Sequence, residues 1–368
     1  MSSLSQPVLS WLPKKEGGKA MTREERQKHA NEISNKYVPG LLAADGKTMQ
    51  EIAGLPIQDI ITIHNNAIWA AEKGISLKSD MSAVETARKT VLKKIREAET
   101  LWTVTDRVTD APFIDDTDSA WLFSEKEIAD ECVDYLMQQY RTTLEVTEIP
   151  GDEIEDFLGM TAYARGADSF TIDNGRYHLD VEAEEIAVRP DFGTITSAEN
   201  PVVNPVLFRS IAKFQQERLW KANYKGKAEK LRAFEADMIR AFCEARLIVP
   251  VKVTSKPEST DIIISMEPSS TDTLINTGTI ISIPSLVNVD GRKATPVFTD
   301  WKELSAAYPG SEWSGWAWTI DDLFAAPDDT IVVNCKSLCF VATKKLLTQM
   351  KEANETVLRK AGTDEKDA

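Results

Sequence analysis

A chain of 368 residues, 42% hydrophobic and 27% charged, has the make-up of a globular protein long enough for two or three cores. Its net charge of −15 excludes the basic face that nucleic acid requires and disfavours anionic membrane surfaces. No apolar run reaches the roughly 18 residues of a membrane span, and the start of the chain lacks the early positive region of an export signal. With only four cysteines (Cys132, Cys243, Cys335 and Cys339), reduced thiols and a cytoplasmic location are expected.

Residues 1–22, mostly Ser, Pro, Gly and Lys around Trp11, read as a flexible tail. Residues 23–190 read as a helical leader followed by a first lobe. In the leader, Val84, Ala87, Val91, Ile95 and Ala98 recur at helical spacing, and an earlier helix covers 57–71. In the lobe, 101–106 reads as a strand, 115–118 as a turn and 120–123 as a strand. Ser124 and Glu127 have the spacing of a capping box. They open a helix whose Ile128, Cys132, Val133, Leu136, Met137 and Tyr140 share one stripe. A strand over 143–149, a helix over 154–163 and a strand over 168–172 follow, and Asn174-Gly175 signals a tight hairpin.

Residues 191–206 read as an interlobe linker, and 207–354 as a second leader and lobe. Phe208, Ile211, Phe214 and Leu219 mark one helix. Leu231, Phe234, Met238, Ala241, Phe242 and Ala245 mark the next. A strand over 247–253, a turn at Asp290-Gly291, a strand over 295–298 and a helix capped by Asp300 and Glu303 come next. A tryptophan-rich loop, a short helix over 320–324 and a strand over 330–333 lead to a charged tail at 355–368.

Residues 167–186 align with 328–347 without a gap, which sets Asp173 opposite Asn334. Upstream, Phe123-Ser124-Glu125 faces Phe298-Thr299-Asp300, and the segment from Glu99 faces the segment from Glu244. A repeat fixes architecture before any local motif does. The fold expected is α/β (α+β, with mixed sheets), in two tandem related lobes each preceded by helices.

The segments CEARLIVPV (243–251), ATPVFTDWKEL (294–304) and DDTIVVNCKSLCFV (328–341) resemble the SseB N-terminal domain, of the enhanced-serine-sensitivity type. Pro296-Val297-Phe298-Thr299 fits the family's strand end. Val332-Val333-Asn334 fits its late turn, with Cys335 where the family has proline. The resemblance covers roughly residues 205–350, and the first lobe looks like a divergent copy. It implies a bacterial cytosolic protein and brings no catalytic residues with it.

Trp313, Trp316 and Trp318 are candidate contact residues, because aromatics bury much area at little entropic cost; the alternative is that they pack a core. Asp173 and Asn334 each end a strand. Either they satisfy their own turn or they present a polar strand end for binding. Cys335 and Cys339, four apart, lack the further ligands of a zinc site, and Asp115, Asp116 and Asp118 lack the glycine and glutamate of a calcium loop. His178 is the one histidine inside a lobe and has no triad partners in sequence. Residues 106–191 carry 23 acidic and 6 basic residues, and 208–256 carry 12 basic and 5 acidic, a polarity suited to docking.

The function expected is a non-catalytic binding or adaptor protein working through a protein partner or self-association, with no cofactor, metal, nucleic acid or membrane. The alternatives are an enzyme with an unrecognised site between the lobes and a self-assembling structural component.

Overall fold

The computed structural model describes residues 22–74, 81–193, 200–255, 264–265, 271–276 and 279–364. The expected tail, except Thr22, and residues 194–199 of the expected linker lie outside them. The chain divides into two compact units. One comprises residues 1–105, 112–159 and 168–188; the other comprises 106–111, 160–167 and 189–368.

The first unit opens with α1 (Arg23–Leu42), α2 (Gly46–Ala53), α3 (Ile57–Glu72) and α4 (Met81–Arg96). Thr22 and Glu25 close a reciprocal capping box at the start of α1. Asp45 caps α2 by accepting from the Thr48 amide at 2.8 Å. The stripe Val84, Ala87, Val91 and Ile95 is buried, as the spacing predicts.

The lobe follows with β1 (Thr100–Asp106), β2 (Ala111–Pro112), β3 (Ser119–Phe123), α5 (Lys126–Tyr140), β4 (Leu144–Pro150), α6 (Ile154–Tyr163), β5 (Ser169–Ile172), β6 (Leu179–Glu182) and α7 (Ala183–Ile186). Its sheet runs β2-β1-β3-β5-β6, with β4 also on β1. Strands β3 and β5 are parallel, while β1–β3 and β5–β6 are antiparallel.

An edge strand such as β6 exposes backbone groups that must be managed. Here side chains of α3 and α4 reach the backbone of β6 and of the connection that leads into it. Gln58 donates to the Tyr177 carbonyl at 3.0 Å, Asn65 to His178 at 2.8 Å and Arg88 to Asp180 at 3.4 Å.

Three local expectations change. The capping box at Ser124 does not form: Glu125 is the N-cap of α5 and makes no side-chain cap bond, because the Ser124 hydroxyl is bonded elsewhere. Met137 is 40% exposed, off the buried stripe of α5. The β5–β6 connection spans 173–178 rather than a two-residue turn.

The second unit contains α8 (Pro205–Leu219), α9 (Lys227–Glu244), β7 (Leu247–Ser255), β8 (Ile264–Ser265), β9 (Thr271–Asn276), β10 (Thr279–Pro284), β11 (Leu286–Val287), β12 (Lys293–Val297), α10 (Trp301–Ala307), β13 (Trp313–Trp318), β14 (Thr330–Val333), β15 (Phe340–Thr343) and α11 (Lys344–Asp364). Proline at the first position of α8 suits a helix start, since its missing N–H would have no helical partner there. Leu207, Phe208, Ile211 and Phe214 of α8 join Phe242 of α9 and Val249, Val297, Val333 and Phe340 of the strands in one core.

One sheet runs β13-β7-β10-β9-β8 and another β11-β12-β14-β15. They meet where Ile248 and Phe298 exchange backbone hydrogen bonds of 2.8 Å. Residues 200–206 of the expected linker are built into this unit: Val202 is buried and Val203 bridges Asp300.

The tryptophan-rich segment is a strand, not a loop. Trp313 to Trp318 pair residue by residue with Lys252 to Leu247. The Ser, Gly and Ala between the rings suggested a turn, but small residues also let a strand lie close to its neighbour. Past β15, α11 continues through residues 355–364 of the charged tail.

The fold is α/β with mixed sheets, in two lobes each preceded by helices. The lobes share a connectivity. A first strand (β1; β7) meets a second (β3; β12) antiparallel, in the second unit by the single Ile248–Phe298 bridge just past β12; the second is parallel to a third (β5; β14), and the third antiparallel to a fourth (β6; β15). The burial patterns of β5 and β14 are identical, as are those of β6 and β15. One register differs from the alignment: Trp102 faces Phe123 as Ile248 faces Phe298, so Trp102 corresponds to Ile248 rather than Leu247. A one-residue slip exchanges the faces of a strand, and here the pairing with Phe123 and Phe298 sets the register.

Candidate functional site

In α/β folds, loops at the carboxyl ends of parallel strands are the usual place for polar function. In the second unit this end holds a buried polar chain. Asn334, fully buried at φ 50°, follows β14 in the left-handed region that Asn tolerates best. Its Oδ1 accepts from the Thr299 amide at 3.0 Å and its Nδ2 donates to Thr299 Oγ1 at 2.9 Å. Thr299 Oγ1 donates to Asp300 Oδ2 at 2.9 Å, and Asp300 Oδ1 caps α10 through the Glu303 amide at 3.1 Å.

Asn204 ties the neighbouring chain ends together by donating to the carbonyls of Arg246 and Thr299, both at 2.7 Å. Burial raises Asp300 above the usual carboxylate range, against the hydrogen bonds from Glu303 and Thr299 and the attraction of Arg165. Burial and the charge of Asp300 raise Glu303, which also accepts from Ser337 at 2.8 Å.

The first unit places Asp173 in the corresponding position, fully buried at φ 57°. Its carboxylate accepts from the Ser124 amide at 2.7 Å and the Ser124 hydroxyl at 2.8 Å. Burial pushes Asp173 up to about 6, with a smaller push from Glu125, against the Ser124 bonds and Arg176. Glu131 holds Arg26 at 3.1 Å and Arg176 at 3.5 Å beside it. Ser124, Glu125 and Lys94 line an open surface cavity of about 440 Å³ with Pro56, Ile57 and Glu97.

The tryptophans divide by strand alternation. Trp316 and Trp318 pack, half-buried, on the core formed by Phe242, Val249 and their neighbours. Trp313 lies on the opposite face, 4.6 Å from the Tyr308 ring, with Lys252 5.6 Å over it. The structure therefore brings Trp313, Trp316 and Trp318 onto one strand, keeps Asn334 in the same unit but inside its buried polar chain, and sets Asp173 in the other unit.

The other sequence candidates separate. Cys335 is half-buried beside Phe298 and Leu304, while Cys339 is exposed. No group of three metal-binding side chains occurs among the described residues. His178 lies 3.6 Å from Asp180, whose hydrogen bond raises it. Asp115 is engaged by the Thr117 and Ser119 amides and by the Trp121 indole.

Sequence reasoning did not select Ser124, Thr299, Asp300 or Asn204 as site residues. The alignment of Ser124 with Thr299 held the signal, but their partners lie 49 and 35 residues further along the chain. Among the described residues no helix is long and apolar enough to cross a membrane. No curated protein and no solved structure matches the chain. A family model does: residues 227–343, from the start of α9 to the end of β15, are similar to the SseB protein N-terminal domain.

Proposed function

We propose that this protein is a non-catalytic binding or adaptor protein, and that its SseB-like domain contacts a partner protein through β13. The observation that carries the reading is the strand itself. Trp313, Trp316 and Trp318 stand within six residues on the end strand of a sheet, each only half-buried and each backed by a packed cluster. Rigid, partly exposed aromatics on a fixed backbone lose little entropy on binding, which is the character of interface anchors.

The polar strand ends support the same reading from the other side, because their side chains are engaged in fastening backbone. A net charge of −15 makes a second copy of this chain a poorer partner than a different protein. The shared connectivity of the lobes supports reading the first as a second, divergent SseB-like copy; a cytoplasmic location is proposed from the SseB resemblance alone.

Native mass spectrometry of the gently purified protein, followed by lysine cross-linking, tests this. The reading expects a protein partner cross-linked at Lys252, beside Trp313, and loss of that cross-link in a folded Trp313→Ser variant. A stoichiometric small-molecule adduct on a monomer, or a partner cross-linked only at sites far from β13, would contradict it.

A further inference from the structure

The two strand-end fasteners are built alike but differ in one chemical respect: one is an amide and the other an acid. We infer that Asp173 makes the β3–α5 corner sensitive to pH, through a reversible change in the direction of its hydrogen bond with Ser124, a change the Asn334 amide cannot make.

In the second unit, the amide can only donate from Nδ2, so Thr299 Oγ1 accepts from Asn334 and sends its own proton on to Asp300. Asp300 in turn caps α10. In the first unit an ionised Asp173 can only accept. The Ser124 hydroxyl must donate to it, and α5 begins at Glu125 without a side-chain cap.

A protonated Asp173 has the donor and acceptor pattern of asparagine. One oxygen still accepts from the Ser124 amide, and the other donates its proton to Ser124 Oγ. The Ser124 hydroxyl is then free to donate to Glu125, as Thr299 does to Asp300. The step is one proton taken up from solvent onto the Asp173 carboxylate, with no other covalent bond made or broken.

The groups facing Asp173 agree with this. From α5 come Glu125, which opposes ionisation, and the Cys132 thiol, which burial holds at about 12 and therefore neutral. From the β5–β6 connection comes Arg176, which favours ionisation but shares its charge with Glu131, itself bonded to Arg26 of α1. Burial outweighs these, at about 6 against 3.8 for an ordinary aspartate. A raised folded value means that protonation favours the fold. The stabilisation is complete below pH 3.8 and is lost as pH rises through 6. Ser124 and Glu125 also line the open cavity, so the change is felt at a surface.

The test compares thermal melting of the full chain with Asp173→Asn and Asn334→Asp variants between pH 5 and 7.5. The advantage of Asp173→Asn over the wild type should grow by roughly 3 °C or more across that range, on the scale of a few degrees per kcal/mol. Asn334→Asp should acquire a deficit that grows as pH rises above the 3.8 of an ordinary aspartate and then levels off. A constant difference between Asp173→Asn and wild type would overturn the inference.

If a variant fails to fold, hydrogen exchange on the wild type decides. Corrected for intrinsic rates, protection at Ser124 should change between pH 5 and 7.5. Unchanged protection at Ser124 across that range would refute the inference.

Discussion

At the residue scale, buried polar side chains hold the corners between strand and helix. Thr299 shows this most clearly, since it accepts from Asn334 and donates to Asp300 in full burial. Thr299→Val keeps the volume but leaves the Asn334 amide without its acceptor, which costs about 1–3 kcal/mol; chemical denaturation will show this as a lower midpoint at unchanged slope. The cysteines give a second residue-scale prediction. Burial holds the Cys132 thiol at about 12 whereas Cys339 is exposed, so mild alkylation followed by peptide mapping should modify Cys339 first and Cys132 last.

Asp173 and Asn334 were legible in the sequence, because Asn and Asp tolerate the left-handed backbone at a strand end. Ser124 and Thr299 were legible only as aligned positions. Side-chain contacts that close over dozens of residues leave no local pattern, and the Ser124–Glu127 spacing pointed to a cap that the Asp173 bond displaces.

At the element scale, β13 is a strand whose two faces do different things. Its even-numbered tryptophans rest on the main core, and Trp313 rests on Tyr308. Trp316→Ala should therefore lower stability by roughly 2 kcal/mol, below the 3–5 kcal/mol of a fully buried aromatic, because the ring is only half-buried; thermal melting checks this. Periodicity marked helices such as α3, α4, α5, α8 and α9 and strands such as β1, β4 and β7, since burial imposes a period of 3.6 or 2, but it did not mark α1, α2 or α11 individually. It failed at 313–318, where small residues between aromatic ones satisfy a strand and a loop alike. It also gave no sign that α3 and α4 would cover the β6 edge, because Gln58, Asn65 and Arg88 act through single polar contacts rather than through a pattern.

At the scale of the whole molecule, the segment similar to the SseB domain is smaller than the unit that contains it. Residues 227–343 omit α8, whose Leu207, Phe208, Ile211 and Phe214 lie in the unit's core, and the whole of α11, whose Met350 lies there too. They also omit Asn204 and Gly166. Gly166 sits at φ 80° with the Pro205 carbonyl 2.4 Å from where a side chain would begin, and it accepts from Arg209 at 2.7 Å. A fragment cut at 227 and 343 should show no cooperative melt by circular dichroism, whereas the full chain melts cooperatively; a cooperative melt of the fragment would contradict the place given to α8.

The central claim is that β13 carries binding while the strand ends carry structure. Hydrogen–deuterium exchange of the full chain, alone and with its co-purified partner, tests it most directly. The account predicts new protection over residues 313–318 and unchanged exchange at Ser124 and Thr299. Protection that appears at Ser124 and along the cavity it lines, with none at β13, would contradict it.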